Sequence, residues 1–403
     1  MYDVIIVGAG PAGTTAALYA HKIGLNCLLL DKSFFPRDKI CGDALSGKSV
    51  RILRELDLLK EISDLNGSEI NRITFGSPSN KQFDLLLNNR KNNQIKKGFV
   101  IKREIFDSFL FNKADEVTKT IQGFTVTDLI YDNNHIVGIK GKKKDGMVEE
   151  YHSHIVMGCD GYNSIIARKV ALYKMDIDHT AVGLRCYYKG VKGLTDQIEL
   201  HYVKEAIPGY FWLFPAGDGI ANIGLGIGKK HLKGKKKNLI QILDQIITSN
   251  YFKARFSNAE PLEKPVGWNL PFGSKHRKNH GDRFMLLGDA AGLIDPFTGE
   301  GIGNAMVSGK YGMEVAAKSL NVGDLSEKSF SEYDKLLWDE IGKELRVSTK
   351  LNKLANSKFL LNFVMNRAAR NDEVQEIISG MLANEIPKEE LSNPLFYFKI
   401  LFS

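Results

Sequence analysis

Three glycines near the N-terminus have the spacing of a phosphate-binding turn. Gly8, Gly10 and Gly13 follow the apolar run DVIIV and open an alanine-rich amphipathic stretch, and a second apolar run ends at Asp31. The first glycine permits a tight turn, the second lets the backbone approach a pyrophosphate, and the third lets the helix pack closely on the strand. A carboxylate eighteen residues after the third glycine can accept a hydrogen bond from a ribose hydroxyl. The sequence therefore predicts a βαβ unit that binds a dinucleotide.

A second group of chemically suited residues lies in RFMLLGDAAGLIDPFTGEGIGNAM, residues 283–306. An apolar strand leads to a turn at Gly288 and Asp289, a loop with Pro296, and glycines that open a helix near Gly301. Asp289 is placed to accept from a ribitol hydroxyl, which FAD has and NAD lacks. The positive N-terminal end of the helix would stabilise the negative charge that a flavin gains on reduction. We therefore expect the dinucleotide to be FAD.

A third motif, GCDGYNSIIAR, lies between these two, with Asp160 and Gly161 at its turn. In this order and spacing the three stretches resemble the GxGxxG, DG and GD motifs of the FAD-dependent family typified by p-hydroxybenzoate hydroxylase. The resemblance implies that Arg103, at the start of the helix in IKREIFDSFL, contacts the flavin, and that Val126 lies along the adenine. For Arg103 an ion pair on the helix surface is the alternative.

The segment FPRDKICGDALSGKSV contains the pair Cys41 and Gly42. It is similar to the geranylgeranyl reductase branch of the fold, which has a Cys-Gly pair beside the flavin and a loop of small residues after it. The resemblance implies that the thiol tunes the redox potential or lies on a proton path, whereas an isolated cysteine is often only a small buried hydrophobe. We expect the cofactor to be bound by Gly8, Gly10, Ala12, Gly13, Asp31, Lys32, Cys41, Gly42, Ala44, Arg103, Val126, Asp160, Asp289, Pro296, Gly299, Gly301 and Ile302.

The stretch GYFWLFPAGDGIANIGLG, residues 209–226, is rich in aromatic residues for a strand. Alternation places Tyr210, Trp212 and Phe214 on one face of it. Periodicity alone favours a packed core. The pattern Tyr-x-Trp-x-Phe-Pro followed by Gly-x-Gly, however, resembles a signature of the same reductases, which implies an aromatic tunnel that holds an isoprenoid and excludes water. We expect substrate contacts from Tyr210, Trp212, Phe214, Pro215 and Gly224, and catalytic roles for Cys41, Tyr210 and Trp212.

These motifs need an α/β fold to position them. We expect a Rossmann-like FAD-binding domain of the p-hydroxybenzoate hydroxylase type, interleaved with an antiparallel substrate sheet and followed by a helical C-terminal region. The predicted FAD-binding domain comprises residues 1–65, 98–175 and 275–330, the substrate domain 66–97 and 176–274, and the helical region 331–403.

Composition limits the function further. The 403 residues carry a net charge of +8, an excess too small to choose among nucleic acid, an anionic lipid and an anionic substrate. Nucleic acid has little support because no reader motif accompanies the basic residues. Four cysteines stand apart without a CxxC pair, so we expect neither a metal site nor a disulfide scaffold, and a reducing cytoplasm fits best. The N-terminus does not resemble a signal peptide. The lysine-rich residues 228–238 and the terminus NPLFYFKILFS permit peripheral membrane contact, although a charge run is usually a solvated face.

The combined prediction is an FAD-dependent reductase that saturates the double bonds of a prenyl chain in a lipid, quinone or pigment. Its electron donor is NAD(P)H or another reductant. One alternative is a flavin monooxygenase or halogenase of an aromatic or polyketide-like substrate, although YFWLFP departs from the halogenase signature Trp-x-Trp-x-Ile-Pro. A flavin-binding redox sensor without turnover is the other.

Overall fold

The structure is a computed structural model that describes residues 1–89, 94–95, 97–172, 176–232, 238–368 and 370–371. Two large β-sheets and ten α-helices make up most of this part of the chain. The helices are α1 Pro11–Ile23, α2 Gly47–Glu55, α3 Leu59–Ser63, α4 Arg103–Asp115, α5 Ile165–Lys169, α6 Lys229–Leu232, α7 Leu239–Ile247, α8 Ile302–Val322, α9 Glu327–Leu354 and α10 Lys358–Ala368. The strands are β1 Tyr2–Val7, β2 Cys27–Leu30, β3 Ala44–Leu45, β4 Ser68–Ile70, β5 Arg72–Gly76, β6 Gln82–Leu86, β7 Asn88–Asn89, β8 Gln94–Ile95, β9 Gly98–Val100, β10 Lys119–Ile121, β11 Thr125–Asp132, β12 His135–Lys142, β13 Val148–Gly158, β14 Thr180–Lys189, β15 Gln197–His201, β16 Gly209–Pro215, β17 Ile220–Gly228, β18 Glu260–Pro261, β19 Val266–Pro271, β20 His280–Gly281 and β21 Phe284–Leu286.

The first sheet has the order β10-β2-β1-β13-β12-β11, with β21 paired to β13. Strands β10, β2, β1, β13 and β21 run parallel to one another, as the predicted βαβ unit requires. Their apolar runs, such as CLLL in β2 and FML in β21, are buried throughout, as is typical of a parallel sheet covered on both faces. Strands β11 to β13 form an antiparallel meander.

Helix α1 packs unusually close to the turn that follows β1. Gly8 adopts φ +104°, and a Cβ built on Gly13 would lie 1.9 Å from the carbonyl oxygen of Gly8. No side chain can be accommodated there, so the helix N-terminus is held directly over the end of the strand. Helix α8 packs against α1 from the other side.

The second sheet has the order β18-β14-β17-β16-β15-β5-β6, with β19 also paired to β14. It contains the two segments that we expected to pair, but the β5–β15 pair is parallel, whereas a fully antiparallel sheet was expected. About 120 residues, which include several strands of the first sheet, connect β5 to β15. Parallel strands need a long crossover connection of this kind, because a short hairpin turn joins only antiparallel strands. The short strands β3, β9 and β4 form a third sheet.

The chain after residue 326 is helical, as predicted, as far as the structure describes it. Helix α9 buries Phe330, Tyr333, Leu337 and Ile341 against the first sheet's core at the three- and four-residue spacing of one helix face. Further along, Val347 joins the second sheet's core. The rest of the predicted C-terminal region, including NPLFYFKILFS, lies outside the described residues, as do residues 233–237 of the lysine-rich stretch. None of the described helices meets the length and apolarity that crossing a bilayer requires.

The contact between Gly13 and Gly8 predicts a strong effect of one methyl group. We expect Gly13→Ala to lower the free energy of unfolding by about 3 kcal/mol, because the new Cβ overlaps backbone that cannot move aside. Gly267→Ala is the control, since its Cβ would meet nothing closer than 3.6 Å. Chemical denaturation measures both variants. Equal stability of the two would contradict the close approach.

Candidate active site

One cavity of about 2260 Å³ runs between the two sheets. Pockets for a single drug-sized ligand usually have about 300–1000 Å³, so this space has room for a dinucleotide and a second long molecule. Its wall includes the turn after β1, the loop of residues 37–46, the aromatic face of β16, and residues of α2, α8 and α9. All of the predicted site residues except Gly13, Pro215 and Gly224 lie on this wall.

The end of the cavity beside the first sheet has the features of a dinucleotide cradle. Gly10 is the N-cap of α1 without a side-chain cap, and a Cβ there would meet only the Arg37 guanidinium, at 3.8 Å. The N-terminal N–H groups of α1 therefore face open space that a pyrophosphate could fill. Asp31 is buried at the end of β2, where its carboxylate accepts from the backbone N–H groups of Ala9 and Ser33, both at 2.8 Å.

Arg103 lies on the cavity wall as the first residue of α4. Its guanidinium donates two hydrogen bonds to Asp107, of 2.6 and 2.7 Å, so the ion pair weighed as an alternative does form, but it is buried rather than on the surface. Asp107 also accepts from Arg37 at 2.8 Å. The Cys41 side chain lies near Arg103 on the same cavity wall. The cysteine is therefore adjacent to a cation that faces the cavity.

The remaining predicted cofactor residues line the same end of the cavity. The helix expected near Gly301 begins there, with Gly301 as the N-cap of α8. Its N–H groups are less free than expected, because the Glu300 carboxylate accepts from the Gly303 N–H at 2.6 Å. The wall also includes Ala12, Lys32, Gly42, Ala44, Val126, Asp160, Asp289, Pro296, Gly299 and Ile302. The cradle, the uncapped α1 and the placement of Asp289 fit FAD.

Strand β16 contributes to both of the structures considered for its aromatic residues, a packed core and an aromatic-lined cavity. Tyr210, Trp212 and Phe214 line the cavity. Phe211 and Leu213 are fully buried on the opposite side, in a separate core with α7. One strand thus forms the wall of the cavity with one face and a solid core with the other.

Gly224 and Pro215 do not lie on the cavity wall. Gly224 stands opposite Trp212 on β17, and a Cβ there would lie 2.4 Å from the Trp212 ring. The glycine therefore makes room for the indole, whose Nε1 donates to Asn222 at 2.8 Å. We infer that Gly224 positions the aromatic wall and contacts no ligand. Pro215 ends the strand.

The hydroxyl of Tyr210 is already engaged. It donates a short hydrogen bond to the carbonyl oxygen of Thr298. Burial raises the pKa of Tyr210 above its ordinary value, and the nearby Asp295 carboxylate raises it further. The phenol therefore holds its proton tightly, which makes Tyr210 better suited to shaping the cavity than to donating a proton.

The sequence analysis missed Asp43, which follows the Cys-Gly pair. Its fully buried carboxylate accepts from the Tyr187 hydroxyl at 2.6 Å and from the Asn222 amide at 2.7 Å, while its other oxygen has no partner among the described residues. Asn222 also donates to the carbonyl of Cys41. Burial raises the pKa of Asp43 to about 6, although the two hydrogen bonds oppose the shift. Its position beside Cys41 was visible in the sequence, but its burial was not.

Lys48 is the second residue that was missed. Its ammonium lies 2.8 Å from Glu344 of α9 and 3.7 Å from Glu300, and only 6% of the side chain is exposed. Burial alone would lower the pKa of Lys48, but Glu300 and Glu344 outweigh it and raise the pKa. The three residues join α2, the loop before α8, and α9 across the cavity wall. No local sequence signal connects a lysine to carboxylates some 250 to 300 positions away.

The shifted pKa of Asp43 predicts a pH dependence of stability. The native state binds this proton more tightly than the unfolded chain, whose carboxyl titrates near 3.8, so the free energy of unfolding falls as the pH rises from about 4 to 6. The contribution is about 3 kcal/mol for two pH units. Asp43→Asn should remove this part of the profile, measured by denaturant unfolding at several pH values. If the free energy of unfolding of wild type and of Asp43→Asn changes equally between pH 4 and 6, Asp43 does not cause the pH dependence.

Removing the ammonium of Lys48 should leave two carboxylates without their cation. We expect Lys48→Met to lower the free energy of unfolding by about 3 kcal/mol. The control is Lys318→Met, whose pair with Glu332 is exposed and should contribute less than about 1 kcal/mol. Thermal and denaturant unfolding compare the two, and an equal loss would show that the burial of Lys48 is immaterial.

Comparison with known proteins agrees with this geometry. Residues 1–309 match the family model described as an FAD binding domain. The digeranylgeranylglycerophospholipid reductase of Methanococcus vannielii is 33% identical over 99% of this chain and 98% of its own. Digeranylgeranylglycerophospholipid reductase 2 of Methanopyrus kandleri is 27% identical over 96% and 94%.

Solved structures show the same fold. A geranylgeranyl bacteriochlorophyll reductase-like protein of Thermoplasma acidophilum superposes with a TM-score of 0.83 at 25% identity, covering 96% of this chain and 98% of that one. A flavin-dependent brominase reaches 0.79 at 23% identity, covering 99% of each chain, which shows a common fold alone. The expectations of FAD and of an FAD-dependent oxidoreductase are confirmed, and the chain belongs to the FAD-binding-domain family and, within it, to the digeranylgeranylglycerophospholipid reductase family.

Proposed function

We propose that this enzyme saturates carbon–carbon double bonds in the isoprenoid chains of a glycerophospholipid. The observation that carries the proposal is the continuity of the cavity, which leads from the dinucleotide cradle past Trp212 into an apolar extension. Relatives named digeranylgeranylglycerophospholipid reductases support this class of substrate. Such a lipid resides in a bilayer, so we also propose that the protein contacts the membrane peripherally.

The apolar extension suits a hydrocarbon chain. It lies between the second sheet and the C-terminal helices, and the side chains that line it are almost all aliphatic or aromatic. Representative members are Ile73, Phe75, Phe83, Leu200, Val347 and Leu361. A wall of this kind gains free energy from burying a prenyl chain and offers it no hydrogen-bond partner. It therefore favours a long apolar substrate over a polar aromatic one.

Bound reduced FAD would supply a hydride to one alkene carbon, and a proton would reach the other. Tyr210, Trp212 and Phe214 would hold the alkene and exclude water. The Cys41 thiol, near Arg103 on the cavity wall, would hold a proton at the site. The reductant that reloads the cofactor would be NAD(P)H or another electron donor.

The test is direct reduction of a lipid under anaerobic conditions. Purified protein loaded with FAD and reduced with dithionite is mixed with a phospholipid that carries geranylgeranyl ether chains. We expect products heavier by two hydrogens for each reduced bond, measured by mass spectrometry. Unchanged lipid, together with oxygen and NAD(P)H consumption on an aromatic compound, would instead identify a monooxygenase and overturn the proposal.

Two variants of one strand separate the role of the wall from that of the core. We expect Trp212→Phe to lower turnover at least about tenfold while FAD remains bound, because the indole and its hydrogen bond to Asn222 are lost. Phe211→Leu, on the opposite face, should lower stability and leave turnover per bound flavin unchanged. If Trp212→Phe and Phe211→Leu turn over substrate at equal rates, Trp212 does not contribute to the reaction.

A further inference from the structure

One opening of the cavity is lined by basic residues. Arg51, Arg54, Lys60 and Lys97 form this group, which we call the basic mouth. They come from the C-terminal half of α2, from α3, and from the chain just before β9. The carboxylates on the same part of the wall are Glu69 and Glu340, so the positive charges exceed the negative ones by two.

Two of the four cations have no ion-pair partner among the residues that the structure describes. Arg51 lies 2.8 Å from Glu340, and Lys97 lies 2.5 Å from Glu69. Arg54 and Lys60 form no ion pair with any described residue, and both are exposed. The two unpaired charges therefore stand at the entrance to an apolar channel, where an uncharged hydrocarbon would gain nothing from them.

The basic mouth is close to the inner cavity. Lys48 and Arg54 both belong to α2, and six residues of helix span about 9 Å. Lys48 contacts Glu300 next to the start of α8, whereas Arg54 lies at the opening. A phosphate bound at Arg54 would therefore remain in water while the chain attached to it entered the apolar extension.

We propose that Arg54 and Lys60 bind the phosphate of an isoprenoid substrate at the basic mouth. The inference rests on the proposed function and adds to it the polar end of the substrate. Arginine and lysine form charge-assisted hydrogen bonds with phosphate oxygens, and neither Arg54 nor Lys60 is neutralised by a carboxylate of the described residues. The phosphate could belong to a phospholipid headgroup or to a prenyl diphosphate.

The experiment compares Arg54→Gln/Lys60→Gln with Lys230→Gln. Lys230 lines the cavity away from the basic mouth and is paired with Asp178 at 2.9 Å, so it is a matched exposed lysine. Each FAD-loaded protein is assayed in neutral detergent micelles with three substrates that carry geranylgeranyl chains: a diether phospholipid, the corresponding diether alcohol, and the diphosphate. Binding of a saturated diether phospholipid to the protein without FAD is followed by tryptophan fluorescence.

We expect the double variant to raise KM for the phospholipid about tenfold with kcat little changed, and to weaken binding of the saturated phospholipid by a similar factor. The alcohol should be unaffected, and Lys230→Gln should resemble wild type. If the diphosphate alone loses affinity, the phosphate is that of a free prenyl diphosphate.

Several results would overturn the proposal. Equal KM values of wild type and double variant for both phosphate substrates would remove the site, as would the same loss in Lys230→Gln. If the double variant loses activity only when substrates are presented in anionic vesicles, and loses it for every lipid alike, the basic mouth binds the membrane surface and not the substrate phosphate. If wild type reduces none of the substrates, the proposed function fails, while the fluorescence titration still decides whether the basic mouth binds a phosphate.

Discussion

The close contacts between backbones around α1 are the constraint on which the site depends. A Cβ on Gly13 would lie 1.9 Å from the oxygen of Gly8, and a Cβ on Gly309 of α8 would lie 2.5 Å from the oxygen of Ala12. Because both contacts exclude side chains, β1, α1 and α8 are stacked without intervening layers. The N-terminal ends of both helices consequently reach the same cavity, one at the cradle and one beside the loop of Glu300.

The loop of residues 37–46 connects this rigid core to the aromatic wall. Asp43 and the carbonyl of Cys41 are both bound by Asn222, and Asn222 also accepts from the indole of Trp212. Directly after the loop, Lys48 of α2 pairs with Glu300 and Glu344. These polar side chains are therefore hydrogen-bonded to one another in a buried network. The network, centred on Asn222, sets the position of the aromatic face relative to the dinucleotide cradle.

Features that depend on short-range sequence patterns could be predicted, whereas features that depend on contacts between distant segments could not. The glycine turn, Asp31, the meander and the helical region after residue 326 follow from short-range patterns, and the structure has them. Strand alternation also separated the two faces of β16 correctly. The parallel β5–β15 pair, the partners of Lys48 and the burial of Asp43 depend on contacts between distant segments, for which neither periodicity nor spacing provides a signal.

The pairing of β5 with β15 has a consequence for the chain while it is being made. Ribosomes add about 5–20 residues per second, so β15 leaves the ribosome on the order of 10 seconds after β5. During that interval β5, which carries Ile73 and Phe75, has a partner strand on one edge only, namely β6. An unpaired strand edge flanked by apolar residues tends to associate with other chains, so the growing polypeptide is exposed to aggregation until β15 has been made.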